Sequence, residues 1–102
     1  MKKIMNWADK NNGIVKDYFK VNFPKYNLLN EISHGPFWGV EFFNDEIVIN
    51  VKGDSGFKIE ITMGGTIFNL WQYDKSVMNA TKTSEQNIIY QLDVLKRFLS
   101  SN

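Results

Sequence analysis

Between Phe37 and Tyr73 apolar and polar residues alternate with period two, in four runs separated by residues that turn the chain. Phe37 to Phe43 stops at Asn44-Asp45. Glu46 to Lys52 sets Ile47, Ile49 and Val51 against Glu46, Val48, Asn50 and Lys52, and stops at Gly53-Asp54-Ser55-Gly56. Phe57 to Met63 alternates Phe57, Ile59, Ile61 and Met63 with Lys58, Glu60 and Thr62. Gly64-Gly65 is a hairpin signal, and Thr66 to Tyr73 is the last run. Runs joined this tightly pair antiparallel, because a parallel return needs a crossover of about a dozen residues. The pattern predicts a four-stranded antiparallel meander.

Helical spacing flanks the strands. Ile4, Trp7, Ile14, Val15, Tyr18 and Phe19 form one stripe of a 3.6-residue helix. Asn11-Asn12-Gly13 weakens that helix, so it starts either near residue 3 or near Asn11, and Pro24 ends it at or before Phe23. Tyr26 to Ser33, with Leu28, Leu29 and Ile32 in a polar setting, reads as a short strand or an extended link, and Ser33-His34-Gly35-Pro36 is turn chemistry. At the other end Thr83 and Gln86 fit a capping box opening a second helix. Its stripe is Ile88, Ile89, Leu92, Leu95, Phe98 and Leu99, with Lys96 and Arg97 in the last turn. One apolar stripe per helix and one apolar face per strand predict an α+β fold. An N-terminal helix, the four-stranded meander and a C-terminal helix form two layers, with both helices packed on one face of the sheet.

Composition narrows the class. The 102 residues are one domain, 1–102, with 43% hydrophobic, 23% charged and 15% aromatic residues, the profile of a globular chain with a ring-rich core. There is no cysteine, which removes disulfides, thiolate metal sites and a cysteine nucleophile and agrees with a reducing compartment. The N-terminal Met1-Lys2-Lys3-Ile4-Met5-Asn6 lacks the apolar segment of a signal peptide, and no apolar run approaches membrane-spanning length. A cytoplasmic protein that does not span a membrane is expected. The net charge of +1 is uneven: +3 over residues 1–36, −3 over 37–79 and +1 over the rest.

Candidate chemistry is sparse. Gly53-Asp54-Ser55-Gly56 spells the signature around a serine-protease nucleophile, but a chain this short with one histidine lacks the rest of that apparatus, and the residues read as a turn. The same letters fit a nucleic-acid-clamping G-x-x-G loop, yet strand-like runs flank them where two helices are required. His34, the one imidazole, could act as general base with Glu31 or Glu41 as orienting partner. A lone histidine in a loop is more often a solvated side chain. Asp45 and Glu46 suit a polar hairpin as well as acid-base work. No metal-ligand spacing or cofactor motif is present. An RNA-binding module stacking bases on sheet aromatics is a second alternative, but the −3 balance of the sheet region opposes phosphate, so nucleic acid is not the expected partner.

The rings point to a protein partner. Trp38, Val40 and Phe42 lie on one face of their strand, and Phe43 lies beside Gly39 and Glu41 on the other. Phe68 and Leu70 oppose Ile67, Trp71 and Tyr73. One set fills the core, and the other forms a binding surface, is covered by flanking segments, or makes a homodimer face. The expected surface has Trp71, Tyr73 and Asp74 at its centre, with Glu41 and Glu60 on neighbouring strands.

Gly35-Pro36-Phe37-Trp38-Gly39-Val40-Glu41-Phe42, Leu70-Trp71-Gln72-Tyr73-Asp74 and the closing helix from Ile88 to Leu99 carry a likeness of pattern and size. Through them the chain resembles small bacterial immunity proteins of contact-dependent-inhibition and related polymorphic toxin systems. The resemblance implies a cytoplasmic, non-enzymatic protein that binds one cognate toxin domain, often a nuclease, and blocks its active site. Such proteins share no site motif, so no residue roles carry over. Inhibitors of nucleases are often strongly acidic, and this chain is near neutral, which either argues against a nuclease target or moves the contact to the locally acidic sheet.

The closing helix brings six apolar residues to one face, each worth roughly 1.5–3 kcal/mol when buried. Their gross sum rivals the roughly 5–15 kcal/mol net stability of a domain. Fragment 1–82 is therefore expected to show no cooperative thermal transition by circular dichroism; a sharp transition would refute this.

Overall fold

The computed structural model describes residues 7–34, 37–53, 56–79 and 82–100. The expected helix start near residue 3, with Ile4, and the turn residues Gly35-Pro36 and Asp54-Ser55 lie outside them. Helix α1 spans Trp7–Asn22. Five strands follow: β1 (Asn27–His34), β2 (Phe37–Asn44), β3 (Ile47–Gly53), β4 (Phe57–Met63) and β5 (Thr66–Asn69). A one-turn helix α2 (Leu70–Tyr73), a 3-10 turn (Lys75–Asn79) and the long helix α3 (Glu85–Ser100) complete the chain. The sheet is antiparallel throughout, in the order β1-β2-β3-β4-β5.

The sheet thus has five strands where the alternation pattern predicts four. The extra strand is the Tyr26–Ser33 segment, for which the sequence leaves a short strand and an extended link both open, and its register explains why the pattern does not decide between them. A register shift between Leu28 and Asn30 breaks the alternation at Leu29. Beyond it the positions that turn toward the helices are Glu31 and Ser33, which meet polar groups of α1. Glu31 accepts from Lys16 Nζ and Asn12 Nδ2, at 3.1 and 3.3 Å, and Ser33 bonds Asp9. A strand whose inner positions are polar carries no apolar period.

Two other boundaries move. The expected last strand, Thr66 to Tyr73, ends at Asn69, where the Asn69 N–H donates to Gln72 Oε1 at 2.7 Å and the chain turns into α2. The capping box expected at Thr83 is replaced by a cap one residue on. Ser84 Oγ accepts the Asn87 N–H at 3.2 Å, and α3 begins at Glu85. Asn11-Asn12-Gly13 does not interrupt α1. Asn12 is buried and donates to the Ile32 carbonyl at 2.8 Å, a tertiary bond that overrides weak local propensity.

One core lies between the layers. Trp38, Val40 and Phe42 of β2, Ile49 and Val51 of β3, and Phe57, Ile59 and Ile61 of β4 form the inner face of the sheet. Ala8, Val15 and Phe19 of α1 and Ile88, Leu92 and Leu95 of α3 cover it. Phe19 stacks on Phe42 with centroids 3.9 Å apart and planes 4° from parallel. Both long helices lie on this face and are tied together: Tyr18 Oη donates to Asp93 Oδ1 at 2.6 Å, and Lys96 Nζ donates to Asn22 Oδ1 at 3.0 Å. Gln91 and Val94 of α3 are also buried, which the apolar stripe alone does not indicate.

Gly53 ends β3 opposite Phe57 and Trp38. A Cβ placed on it would come within 2.1 Å of Trp38 Nε1, so the buried indole, stacked on Phe57 at 5.5 Å, occupies the space a side chain would need. Gly53→Ala is expected to destabilise the fold by about 1–3 kcal/mol through overpacking, read as a lower midpoint in urea at unchanged slope.

Candidate partner-binding face

The helices take one side of the sheet and leave the other open to solvent. Pairing places side chains on this outer face in cross-strand rows, because residues opposite each other point the same way. The central row is Asn30, Glu41, Asn50, Glu60 and Asn69, one residue from each strand. Beside it runs a mainly apolar row, Asn27, Phe43, Val48, Thr62 and Ile67. On the other side lie Ile32, Gly39, Lys52 and Lys58.

The two carboxylates of the central row differ electrostatically. Glu60 is bracketed by Lys52 at 3.1 Å and Lys58 at 3.5 Å. Partial burial alone would raise its pKa, but the two ammoniums outweigh that and hold it below the usual glutamate range. Its charge is already matched. Among the described residues Glu41 receives only a long contact from Asn50 Nδ2, 3.5 Å, and so offers its lone pairs outward. Phe43 and Ile67 are exposed beside this row.

The expected site divides here. Glu41 and Glu60 share the outer face, two strands apart, at a spacing of roughly 10 Å. Tyr73 and Asp74 belong to another corner, where α2 and the 3-10 turn meet α3. The Tyr73 ring stands edge-on to Phe98 at 5.1 Å. Asp74 Oδ1 accepts from Ser76 Oγ at 2.7 Å and Ser76 N–H at 3.0 Å, and Arg97 lies 3.5 Å from Oδ2. Ser76 in turn bonds the Tyr90 hydroxyl. Trp71 is 39% and Tyr73 46% exposed, so this corner is accessible, but Asp74 is engaged in holding the turn. Trp71, Tyr73 and Asp74 are therefore not neighbours of Glu41. The reason is the ending of β5 at Asn69: once α2 begins, the period of two no longer sets side-chain direction. Phe43, which the sequence places on Glu41's face, is the ring that accompanies it.

The enzymatic and RNA alternatives find little assembled. His34 points to the outer face at the end of β1, whereas Glu31 turns to the helix side and pairs with Lys16. Glu41 shares the face with His34 but sits opposite Asn30, four residues along β1, roughly 13 Å away. Of the sheet aromatics, Trp38, Phe42 and Phe57 are buried in the core, and Phe37 and Phe43 face outward. Asp45, with φ of 54°, forms the β2–β3 turn with Glu46. Together with Ile47, Met63 and Gly64 these residues line an open depression at one end of the sheet. Among the described residues no three histidine or carboxylate groups converge as for a metal ion, and no helix is long and apolar enough to cross a membrane.

Comparison with known proteins gives no matching family model, no similar curated protein and no similar solved structure.

The bonds from Ser76, with Arg97 nearby, hold the Asp74 carboxyl below its ordinary 3.8. A group whose native pKa is depressed stabilises the fold above its unfolded pKa, and that contribution disappears as pH falls through the native value. Asp74→Ala is therefore expected to melt below the parent chain at pH 7. The gap should narrow once the pH passes below about 3.8. Melting curves at pH 7 and at successive acid pH values test this, and a gap independent of pH would exclude the carboxylate as its source.

Proposed function

We propose that this chain is an immunity protein that binds and neutralises a cognate bacterial toxin domain, a nuclease, by covering its active site with the outer face of the sheet. The observation that carries the reading is the pairing, on one open face, of an uncompensated carboxylate, Glu41, with the exposed ring of Phe43. A nuclease presents a basic cleft to its substrate. A carboxylate on the inhibitor speeds encounter with such a cleft, and desolvation of a neighbouring ring slows departure. Glu60, matched by two lysines, contributes orientation more than charge. The likeness in pattern and size to immunity proteins of polymorphic toxin systems supports the same reading.

The outer face is preferred over the Trp71–Tyr73 corner for an energetic reason. Asp74 would have to give up its bonds to Ser76 to accept a partner's cation, whereas Glu41 already has free acceptor capacity.

The test uses the toxin domain encoded by the gene immediately upstream of this one, titrated calorimetrically with purified variants. Glu41→Lys and Phe43→Ala are each expected to weaken binding by about 2 kcal/mol or more, roughly thirtyfold, at nearly unchanged melting temperature. Tyr73→Ala is expected to bind within a few-fold of wild type. Full affinity in both outer-face variants, with loss in Tyr73→Ala, would move the interface to the α2 corner. Absence of binding to that toxin domain by the wild-type chain would overturn the immunity reading itself.

A further inference from the structure

The two edges of the sheet are unequal. β5 has four residues and passes at once into α2. β1 has eight, all exposed, with Leu28 at 50%, Leu29 at 52% and Ile32 at 50%. Edge strands are commonly guarded by lysine, proline or an irregularity that blocks a second strand. Asn27 to His34 contains no lysine, arginine or proline, and its one irregularity, between Leu28 and Asn30, leaves Asn30 to His34 in regular register.

Hairpin geometry shows which backbone groups this edge offers. The two-residue turn Asp45-Glu46 makes Asn44 and Ile47 a hydrogen-bonded pair. Counting back by twos along β2, Phe42, Val40 and Trp38 also direct their N–H and C=O groups to β3. Phe37, Gly39 and Glu41 then direct theirs to β1, where they meet His34, Ile32 and Asn30. Glu31 and Ser33 are left facing the open edge. The Glu31 N–H accordingly finds a local acceptor, the Oδ1 of Asn30 at 2.9 Å, a bond that an incoming strand can replace.

We propose that β1 is a self-association edge, on which a second copy of this chain adds its own β1 antiparallel about a twofold axis through Ile32. The segment is self-complementary in that register. Glu31 of one copy pairs through its backbone with Ser33 of the other, and Ser33 with Glu31, so the groups that face the edge satisfy each other. Ile32 meets Ile32 across the axis as a close, non-hydrogen-bonded apolar pair, and Asn30 lies opposite His34. No like charges stand directly opposite: the two Glu31 side chains are diagonal neighbours, each paired with Lys16 of its own copy, whereas the register one residue earlier would place Glu31 against Glu31. Because Ile32 points to the outer face, the two five-stranded sheets join with their open faces on the same side. The inference is independent of the toxin reading, since it concerns this chain alone.

A ladder this short is a small interface, so association is expected at micromolar to millimolar concentration. The absence of cysteine permits a clean register test. In Ile32→Cys the two thiols face each other in a close, non-hydrogen-bonded pair with Cβ atoms roughly 4.5 Å apart, which a small adjustment brings within disulfide range. Diamide, which takes the two electrons and two protons of the thiol pair, is expected to convert this variant to a covalent dimer. Asn30→Cys is expected to react at least tenfold more slowly, because its counterpart lies four residues away, roughly 13 Å. Ile32→Lys places two ammoniums at the axis and should weaken the dimer at least tenfold in sedimentation equilibrium. Its thermal melt, recorded at a concentration where the wild type is monomeric, should match the parent, because Ile32 is exposed. Three outcomes would each overturn the proposal: a wild-type chain that sediments as a monomer up to about 1 mM, equal cross-linking of the two cysteine variants, or undiminished association of Ile32→Lys.

Discussion

The stack of Phe19 on Phe42 places α1 across the second strand of the sheet, and most other tertiary relations follow from where it puts that helix. With Phe19 fixed, Val15 and Ala8 fall along the same inner stripe, and Tyr18 and Asn22 come to the side facing α3. The polar stripe of α1 then lies under β1. Asp9, Asn12 and Lys16 bond Ser33, the Ile32 carbonyl and Glu31. A single helix thus covers part of the core, anchors α3 and holds an edge strand whose inner positions are polar. Aromatic stacking is well suited to this, because ring pairs combine a large buried area with a preferred orientation.

The same arrangement explains how much of the fold is readable in the sequence. β2, β3 and β4 are buried on one face and solvated on the other, so their alternation is clean and their ends are legible within a residue or so. β1 is an edge strand over a polar stripe of α1, and neither of its faces needs apolar residues at every second position. Leu29, at the bulge, removes what periodicity remained. The end of β5 is hidden for a different reason. Phe68, Leu70 and the rings after them keep an alternating pattern, while the bond from the Asn69 N–H to Gln72 turns the backbone. A side chain three residues ahead decides the matter, and hydrophobic period does not register it.

The candidate face was partly legible on the same terms. Glu41 and Glu60 follow from strand period alone, and both lie where alternation places them. Alternation within β4 already places Lys58 beside Glu60, whereas the match with Lys52 follows only from the β3–β4 register. Trp71, Tyr73 and Asp74 were grouped with the carboxylates on the assumption that β5 continued. Helical turn in place of strand carries Tyr73 to Phe98 and Asp74 to Ser76 and Arg97. Local charge balance does not show that Lys52 and Lys58 share the outer face with Glu41 and Glu60, nor which carboxylate is already paired.

A protein whose two sheet faces differ so much in burial can change one without endangering the other. Inner positions such as Ile49, Val51 and Ile59 are almost inaccessible, and substitution there carries the penalties of cavities or overpacking. Outer positions such as the half-buried Asn50 and Thr62 and the exposed Phe43 keep solvent contact, and surface positions usually change stability by about half a kcal/mol or less. Specificity written on the outer rows is therefore nearly uncoupled from folding. Recognition of one partner and rejection of its relatives both require freedom to add attraction and repulsion at chosen points. On the proposed partner-binding reading, a polar row beside an apolar row supplies both, because its carboxylates can be paired or left unpaired while Phe43 and Ile67 beside them supply apolar contact.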